Sequence, residues 1–349
     1  MTNIKKVRGF SLIELMVAIT ISLILLIALV QILVQHHANY STIGAQAQTQ
    51  NAEVTIGNIV TESVRGAGFY GCSSNSTMQL VASIGSVPST GSSMQGYDGG
   101  ASATISTLNP ANSTTLSAWT PTLASVFSGL AESGSDVYVQ MGMRPGTTAT
   151  TLTSDALSGA GSLSVLSTSQ IASNGFIAIS NCAQSSILQN SGSAAASAVT
   201  LSTNSALNQG YKAGSVLVPV SQLAYFVGQA SGTQSALYQA ENISGSWVAT
   251  PLVPGVTNMR IWYGIGSVGN TTRYMAASQM SSSAWSTVNS IRMAFLLEGG
   301  PGSAKVSTNS NSCANQTQWT LLDRTVTVPC DTRLRHVFNL VIALRNAGL

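Results

Sequence analysis

The chain has 349 residues, a formal charge of +3 and only 7% charged side chains, against about 25% in an ordinary globular domain. Apolar residues reach 44%, enough to build a core, while 52 Ser and 34 Thr solvate a surface without charge and suit strands, turns and loops. So sparse and balanced a charge set excludes a basic nucleic-acid-binding face, and the length allows one large domain or two small ones beyond any membrane segment.

Lys5, Lys6 and Arg8 lie among the first nine residues with no acid, whereas residues 10–349 hold 11 basic and 11 acidic side chains. The excess charge is therefore an N-terminal feature. Leu15 to Val34 follows as 20 residues without charge, about 30 Å as a helix and long enough to span a bilayer. The basic cluster before it predicts a cytoplasmic N-terminus, with everything after about residue 35 across the membrane. A secretory signal peptide fits less well, because its apolar region is about 7–15 residues and ends near its cleavage site. Ala45-Gln-Ala47 is the nearest such site and lies far from the run. Glu14 argues against a plain anchor, since a carboxylate within an apolar span costs about 3 kcal/mol.

The string Arg8-Gly-Phe-Ser-Leu-Ile-Glu-Leu-Met-Val-Ala-Ile19 resembles the prepilin leader-peptidase signature of type IV pilins and type II secretion pseudopilins. The resemblance implies cleavage between Gly9 and Phe10, N-methylation of Phe10, and a role for Glu14 in assembly and register through pairing with an N-terminal amine in the filament. Cleavage makes a cation at the edge of an apolar region, and Glu14 is an anion that needs one. A stack of subunits supplies a neighbour's amine. Glu14 snorkelling to the interface is the bland alternative.

Residues 35–65 contain no Pro and are rich in Gln and Ala, so the helix is expected to continue to Arg65, with Gly66-Ala-Gly68 as its stop. Ile43, Ala47, Val54, Ile59, Val60 and Val64 form a loose helical stripe expected to dock on a globular domain. Residues 73–135 read as irregular, with short elements at most. Strand-like segments then recur: Asp136–Met143, Ser162–Leu166, Phe176–Cys182, Ala198–Leu201, Ser215–Val227, Ser235–Ala240, Met259–Tyr263, Val288–Leu297, Leu321–Val328 and Arg335–Arg345. No helical pattern alternates with them, which predicts antiparallel sheet and an α+β chain. Four parts follow: a leader at 1–9, a transmembrane and assembly helix at 10–34, its amphipathic continuation at 35–65, and a β-rich periplasmic head at 66–349.

Gly66-Ala-Gly-Phe-Tyr-Gly-Cys72, Gly134-Ser-Asp-Val-Tyr-Val139, Val256-Thr-Asn-Met-Arg-Ile-Trp-Tyr-Gly264 and Arg333-Leu-Arg-His-Val-Phe-Asn-Leu-Val-Ile-Ala-Leu-Arg-Asn346 together resemble the PilW-type minor pilins of type IV pilus systems. They are similar, more weakly, to the J-type pseudopilins of type II secretion. The resemblance implies the type IV pilin fold, with a long N-terminal helix on an antiparallel sheet head. It also implies no enzyme activity and no cofactor. Its implied partners are other minor and major pilins, the prepilin peptidase, the inner-membrane assembly platform and a tip adhesin, and its implied site is the inner membrane and then the pilus tip.

Four cysteines, Cys72, Cys182, Cys313 and Cys330, show no C-x-x-C spacing, so a zinc ribbon or thioredoxin-type motif is disfavoured. A periplasmic head sustains disulfides. Of the three possible pairings, Cys313–Cys330 with Cys72–Cys182 is favoured: the first closes a short loop worth about 3 kcal/mol, and the second ties the helix end to the sheet. Four free buried thiols remain the alternative. Gly264-Ile-Gly-Ser-Val-Gly269 matches G-x-G-x-x-G but opens no helix, so a hairpin loop is the better reading. His36 and His37 follow the apolar span, and His336 reads as structural. The acids are scattered, with Glu132 and Asp136 the nearest pair in the head, and neither a catalytic set nor a metal site is expected. Arg333, Arg335 and Arg345 form the one basic grouping after the leader, expected on one strand face as an interface patch or a solvated edge.

The sequence thus predicts a minor pilin that primes assembly at or near the pilus tip. A type II secretion pseudopilin is the alternative within the same machinery. From another class, a membrane-anchored periplasmic enzyme or binding protein would need neither Gly9 nor Glu14.

Overall fold

A computed structural model describes residues 11–72, 78–80, 93–105, 111–192, 198–203, 206–229, 234–267, 269–300 and 317–345. One helix, α1, runs from Leu12 to Arg65 over 54 residues, about 81 Å by rise per residue. Proline is absent from it, and Gly44 and Gly57 do not interrupt it. The helix ends where Gly66 donates to the carbonyls of Ser63 and Val64, and Gly68 follows at φ 74°, a left-handed turn that suits glycine.

The strands are β1 Met78–Leu80, β2 Met94–Tyr97, β3 Ser102–Thr104, β4 Val137–Met143, β5 Thr150–Thr151 and β6 Ser162–Ser164. Then come β7 Phe176–Ser180, β8 Ser185–Gln189, β9 Ala198–Thr200, β10 Val216–Gly228, β11 Ala236–Asn242 and β12 Trp247–Pro254. The last six are β13 Val256–Ser267, β14 Asn270–Met275, β15 Val288–Glu298, β16 Gln318–Leu321, β17 Arg324–Thr327 and β18 Arg335–Ala343. They form a nine-stranded sheet built around β10, a four-stranded antiparallel sheet in the order β14-β13-β15-β18, a three-stranded sheet and a two-stranded sheet. Apart from short β1–β8 and β17–β3 pairings, the ladders are antiparallel. β10 spans 13 residues and is buried after its first, as an interior strand with cover on both faces must be.

The second half of α1 packs where the two largest sheets meet. Ala52, Ile56, Val60 and Val64 join Met259, Ile261, Ile291, Met293 and Phe295 in one core. A spacing of four residues places those helical side chains on one face. Burying each larger aliphatic is worth about 1.5–3 kcal/mol. This face differs from the expected one: Val60 and Val64 lie on it, but Ile43 and Val54 are 63% exposed and Ala47 is exposed. Alanines and Thr49 supply its small side chains, which an apolar count overlooks.

Most predicted strands appear, with edges shifted by a few residues. The expected strand Leu321–Val328 is instead part of a hairpin, β16 to β17, turning at Leu322 with φ 55°. Strands β8, β12 and β14 were not expected, and 73–135 contains β1, β2 and β3.

Candidate functional site: the bare apolar helix and its docked head

From Leu12 to Val34 every side chain of α1 is exposed, and an 18-residue window has mean hydropathy 2.9 with none of it buried. Glu14 lies in the first turn of this stretch, and among the described residues it has no ion-pair partner. Lys5, Lys6, Arg8, Gly9 and Phe10 lie outside the described residues. Among the described positions of residues 35–44 no side chain is buried, and the first buried helical residue is Ala45. His36 and His37 sit in this bare stretch.

The docked half is fixed by more than apolar contact. Gln140 on β4 donates to the Ser63 carbonyl at 2.9 Å and lies 2.8 Å from its hydroxyl, and it accepts from Tyr138 at 3.0 Å. His336 on β18 reaches Glu53 at 3.1 Å, a structural role for this histidine. A disulfide joins Cys72, just after the helix, to Cys182, just after β7. Cys330 is also disulfide-bonded, while Cys313 lies outside the described residues.

Two buried ionic clusters hold the head together. In the first, Arg260 on β13 meets Asp98 at 2.5 Å and Asp136 at 3.5 Å, and grips Asp323 through Nε at 2.7 Å and Nη2 at 2.9 Å. Arg324, fully buried, bonds Asp136, Asp98 and the carbonyls of Gly100, Gly134 and Met259. Burial alone pushes the Asp98 carboxyl up, but the Ser278 hydroxyl, the Gly100 N–H and the Arg260 charge hold it below the ordinary range. Two guanidinium groups thus answer the carboxylates, and their forks use the bidentate geometry that makes buried arginine tolerable. The partners lie up to 226 residues apart in the chain.

The second cluster corrects the expected arginine patch. Glu298 at the end of β15 accepts from Arg333 at 2.5 Å and from Arg335 at 2.8 Å, and Asp331 takes Arg335 at 2.6 Å. Register is the cause, since Glu298 is the cross-strand partner of Arg335. Asp331, four residues before Arg335, was the local signal. Neither arginine is a solvated edge, and Arg345 lies apart from them beside the end of α1. The sequence neighbours Glu132 and Asp136 also separate: Glu132 is buried and accepts from Ser235 at 2.6 Å. Burial pushes its carboxyl up to about 7, the Ser235 bond opposes this, and the charge of Glu298 adds to it.

The G-x-G-x-x-G string lies on the β13–β14 hairpin. A Cβ at Gly264 would run into the Ser290 hydroxyl and one at Gly266 into the Asn270 carbonyl, so these glycines let strands approach closely rather than cradle a phosphate. Among the described residues no group of three His, Cys, Asp or Glu side chains is arranged to hold a metal.

Residues 224–346 match the family model described as Type IV Pilus-assembly protein W, and residues 4–30 match the Prokaryotic N-terminal methylation motif. Among solved structures the chain is similar to the Type IV-like pilin TTHA1219 from Thermus thermophilus, with 9% identity over 86% of this chain and 99% of that one, at a TM-score of 0.34. No curated protein matches the chain. The chain thus carries a prepilin-type methylation motif at one end and, at the other, a region similar to the pilus-assembly W family of type IV pilins.

Proposed function

We propose that this pilin is a minor subunit that primes assembly of the pilus and sits at or near its tip. The observation that carries the reading is the bare half of α1, strongly apolar from Leu12 to Val34 and uncharged except for the single carboxylate of Glu14. In the inner membrane, with Lys5, Lys6 and Arg8 on the cytoplasmic side, lipid covers that surface. Cleavage between Gly9 and Phe10 and methylation of Phe10 leave a cationic N-terminus. The helix then exchanges lipid for the equivalent helices of other minor and major pilins. That exchange conserves apolar contact, so the unpaired Glu14 gains most, by meeting a neighbour's amine and setting register. A head spanning residues 66–349 is bulky for a subunit repeated along a filament and suits one end of it, where it presents a tip adhesin. The role is that of an assembly protein without an enzymatic step, partnered by the prepilin peptidase and the inner-membrane platform.

The test is a deletion strain scored for surface pili and for protein secretion. Loss of pili with secretion intact is expected, and loss of secretion with pili intact overturns the reading in favour of a pseudopilin. Mass spectrometry of the mature chain is expected to find methylated Phe10 at its N-terminus. Gold-labelled antibodies against the head are expected at filament ends, and labelling along the shaft contradicts the tip position.

A further inference from the structure

A groove of about 880 Å³ opens where α1 ends against the head. Glu62 and Arg65 from the last turn of the helix, Phe69 beyond it, Met143 and Arg144 from the end of β4, and Arg345 just past β18 line it. Three guanidinium groups face one carboxylate there. Arg65 and Arg345 are exposed, and among the described residues neither has an ion-pair partner, while Arg144 meets Glu241 through Nε at 3.3 Å. Elsewhere in the head, Arg260, Arg324, Arg333, Arg335 and Lys212 are paired with acids, and Arg292 stacks over Trp262 and Tyr274. Among the described residues three arginines, Arg65, Arg273 and Arg345, have neither an acid nor a ring partner, and two of the three line this groove.

From this charge and shape we infer that the groove takes an acidic peptide segment of a neighbouring subunit. Guanidinium forks match carboxylates bidentately, and Phe69 and Met143 between them offer apolar contact to the side chains flanking such a carboxylate. The volume exceeds what a small anion fills and lies in the range of sites for extended ligands, about 300–1,000 Å³. A lipid headgroup does not reach it: Arg65 lies 31 residues beyond Val34, about 46 Å along the helix, whereas the headgroup layer is only about 5–8 Å deep. A nucleic acid would need a continuous basic track, whereas Arg260, Arg324, Arg333, Arg335 and Lys212 are each held by acids. The identity of the occupant as a subunit rests on the filament role proposed above.

The test uses the full chain in detergent micelles and fluorescence anisotropy with a labelled decapeptide of three glutamates spaced by leucine and glycine. Binding is expected, with at least a tenfold loss in the Arg65→Ala/Arg345→Ala double variant and with the glutamine version of the peptide. Arg273→Ala, which removes an exposed arginine on β14 outside the groove, is expected to bind as the parent does. Thermal midpoints of the exposed-site variants are expected to match the parent, which separates lost binding from lost folding. Equal binding of the glutamine peptide, no effect of the double replacement, or tighter binding of inorganic phosphate, oligothymidylate or phosphatidylglycerol vesicles overturns the inference. If the peptide binds as expected while a deletion strain keeps its pili, the groove stands and the filament role falls. Lost pili with no peptide binding overturn the groove and leave the filament role standing.

Discussion

One continuous helix behaves as two. Up to Val34 its side chains are mostly apolar and all exposed, and from Ala45 onward one face is sealed into the core. The backbone is the same, so the difference lies in what each half is offered. The second half meets a sheet surface that supplies aliphatic and aromatic partners, a glutamine clamp and a histidine against Glu53. The first half finds none within the described residues. Helix length alone therefore says nothing about stability; the presence of a packing partner decides which half belongs to the fold of the head.

Changes in the two halves are expected to separate cleanly. The largest effect falls on the first: Glu14→Ala is expected to abolish surface pili while leaving processing at Gly9 and the melting of the head unchanged, read by electron microscopy, mass spectrometry and calorimetry. Normal pili in that variant remove its assigned role. Next, Arg324→Ala is expected to destabilise the head by about 3–5 kcal/mol, because Asp136 and Asp98 lose one of their two buried cations and the carbonyls of Gly100, Gly134 and Met259 lose their donor. Denaturant titration reads this, and a loss below about 1 kcal/mol contradicts it. Replacing Cys72 and Cys182 with serine removes a cross-link between residues 110 apart, worth about 4–5 kcal/mol by loop entropy. Urea midpoints with and without reductant test that figure.

Ile56→Ala sharpens the contrast within the helix. Ile56 is fully buried, so the expected cost is about 2–4 kcal/mol. Ile24→Ala, at a position 65% exposed, is expected to leave the head's stability unchanged. The smallest effect is on pH dependence. Glu132 has its folded pKa raised to about 7 by burial. It contributes stability below the ordinary glutamate range that is lost as pH rises through about 7. The thermal midpoint is expected to fall between pH 5 and pH 8, and Glu132→Gln is expected to flatten that fall, a difference of about 2–3 kcal/mol at pH 8.

The parts of this molecule that announce themselves in sequence are those written locally. The helix, its stop at Gly66 and strands such as Val216–Gly228 follow from runs of apolar residues bounded by breakers. The β16–β17 hairpin was hidden because Leu322 takes a left-handed backbone without glycine or asparagine to signal it. Strand β12, with prolines at 251 and 254 and alternating exposure, lacks the apolar run that marks a strand. The docking face of α1 was misjudged because Ala45, Thr49 and Ala52 line it, while more apolar Ile43 and Val54 point away. The Asp98–Arg260–Asp136–Arg324 cluster joins residues 162 or more positions apart across three of its contacts, and no spacing rule reaches that far. It also links Asp98 and Asp136 to the segment 224–346, fastening the part of the head outside the family match to the part within it.

The bare stretch between Val34 and Ala45 has a mechanical consequence. It runs ten residues, 35–44, about 15 Å of single helix, with no buried side chain among the described positions and with Gly44 at its far end. Under tension, unwinding there uncovers no buried side chain among the described positions, whereas unwinding beyond it must also pull apart the core. Each residue converted from helix to extended chain adds about 1.8 Å. The stretch is thus a built-in compliance, a short tether that lengthens before the head yields.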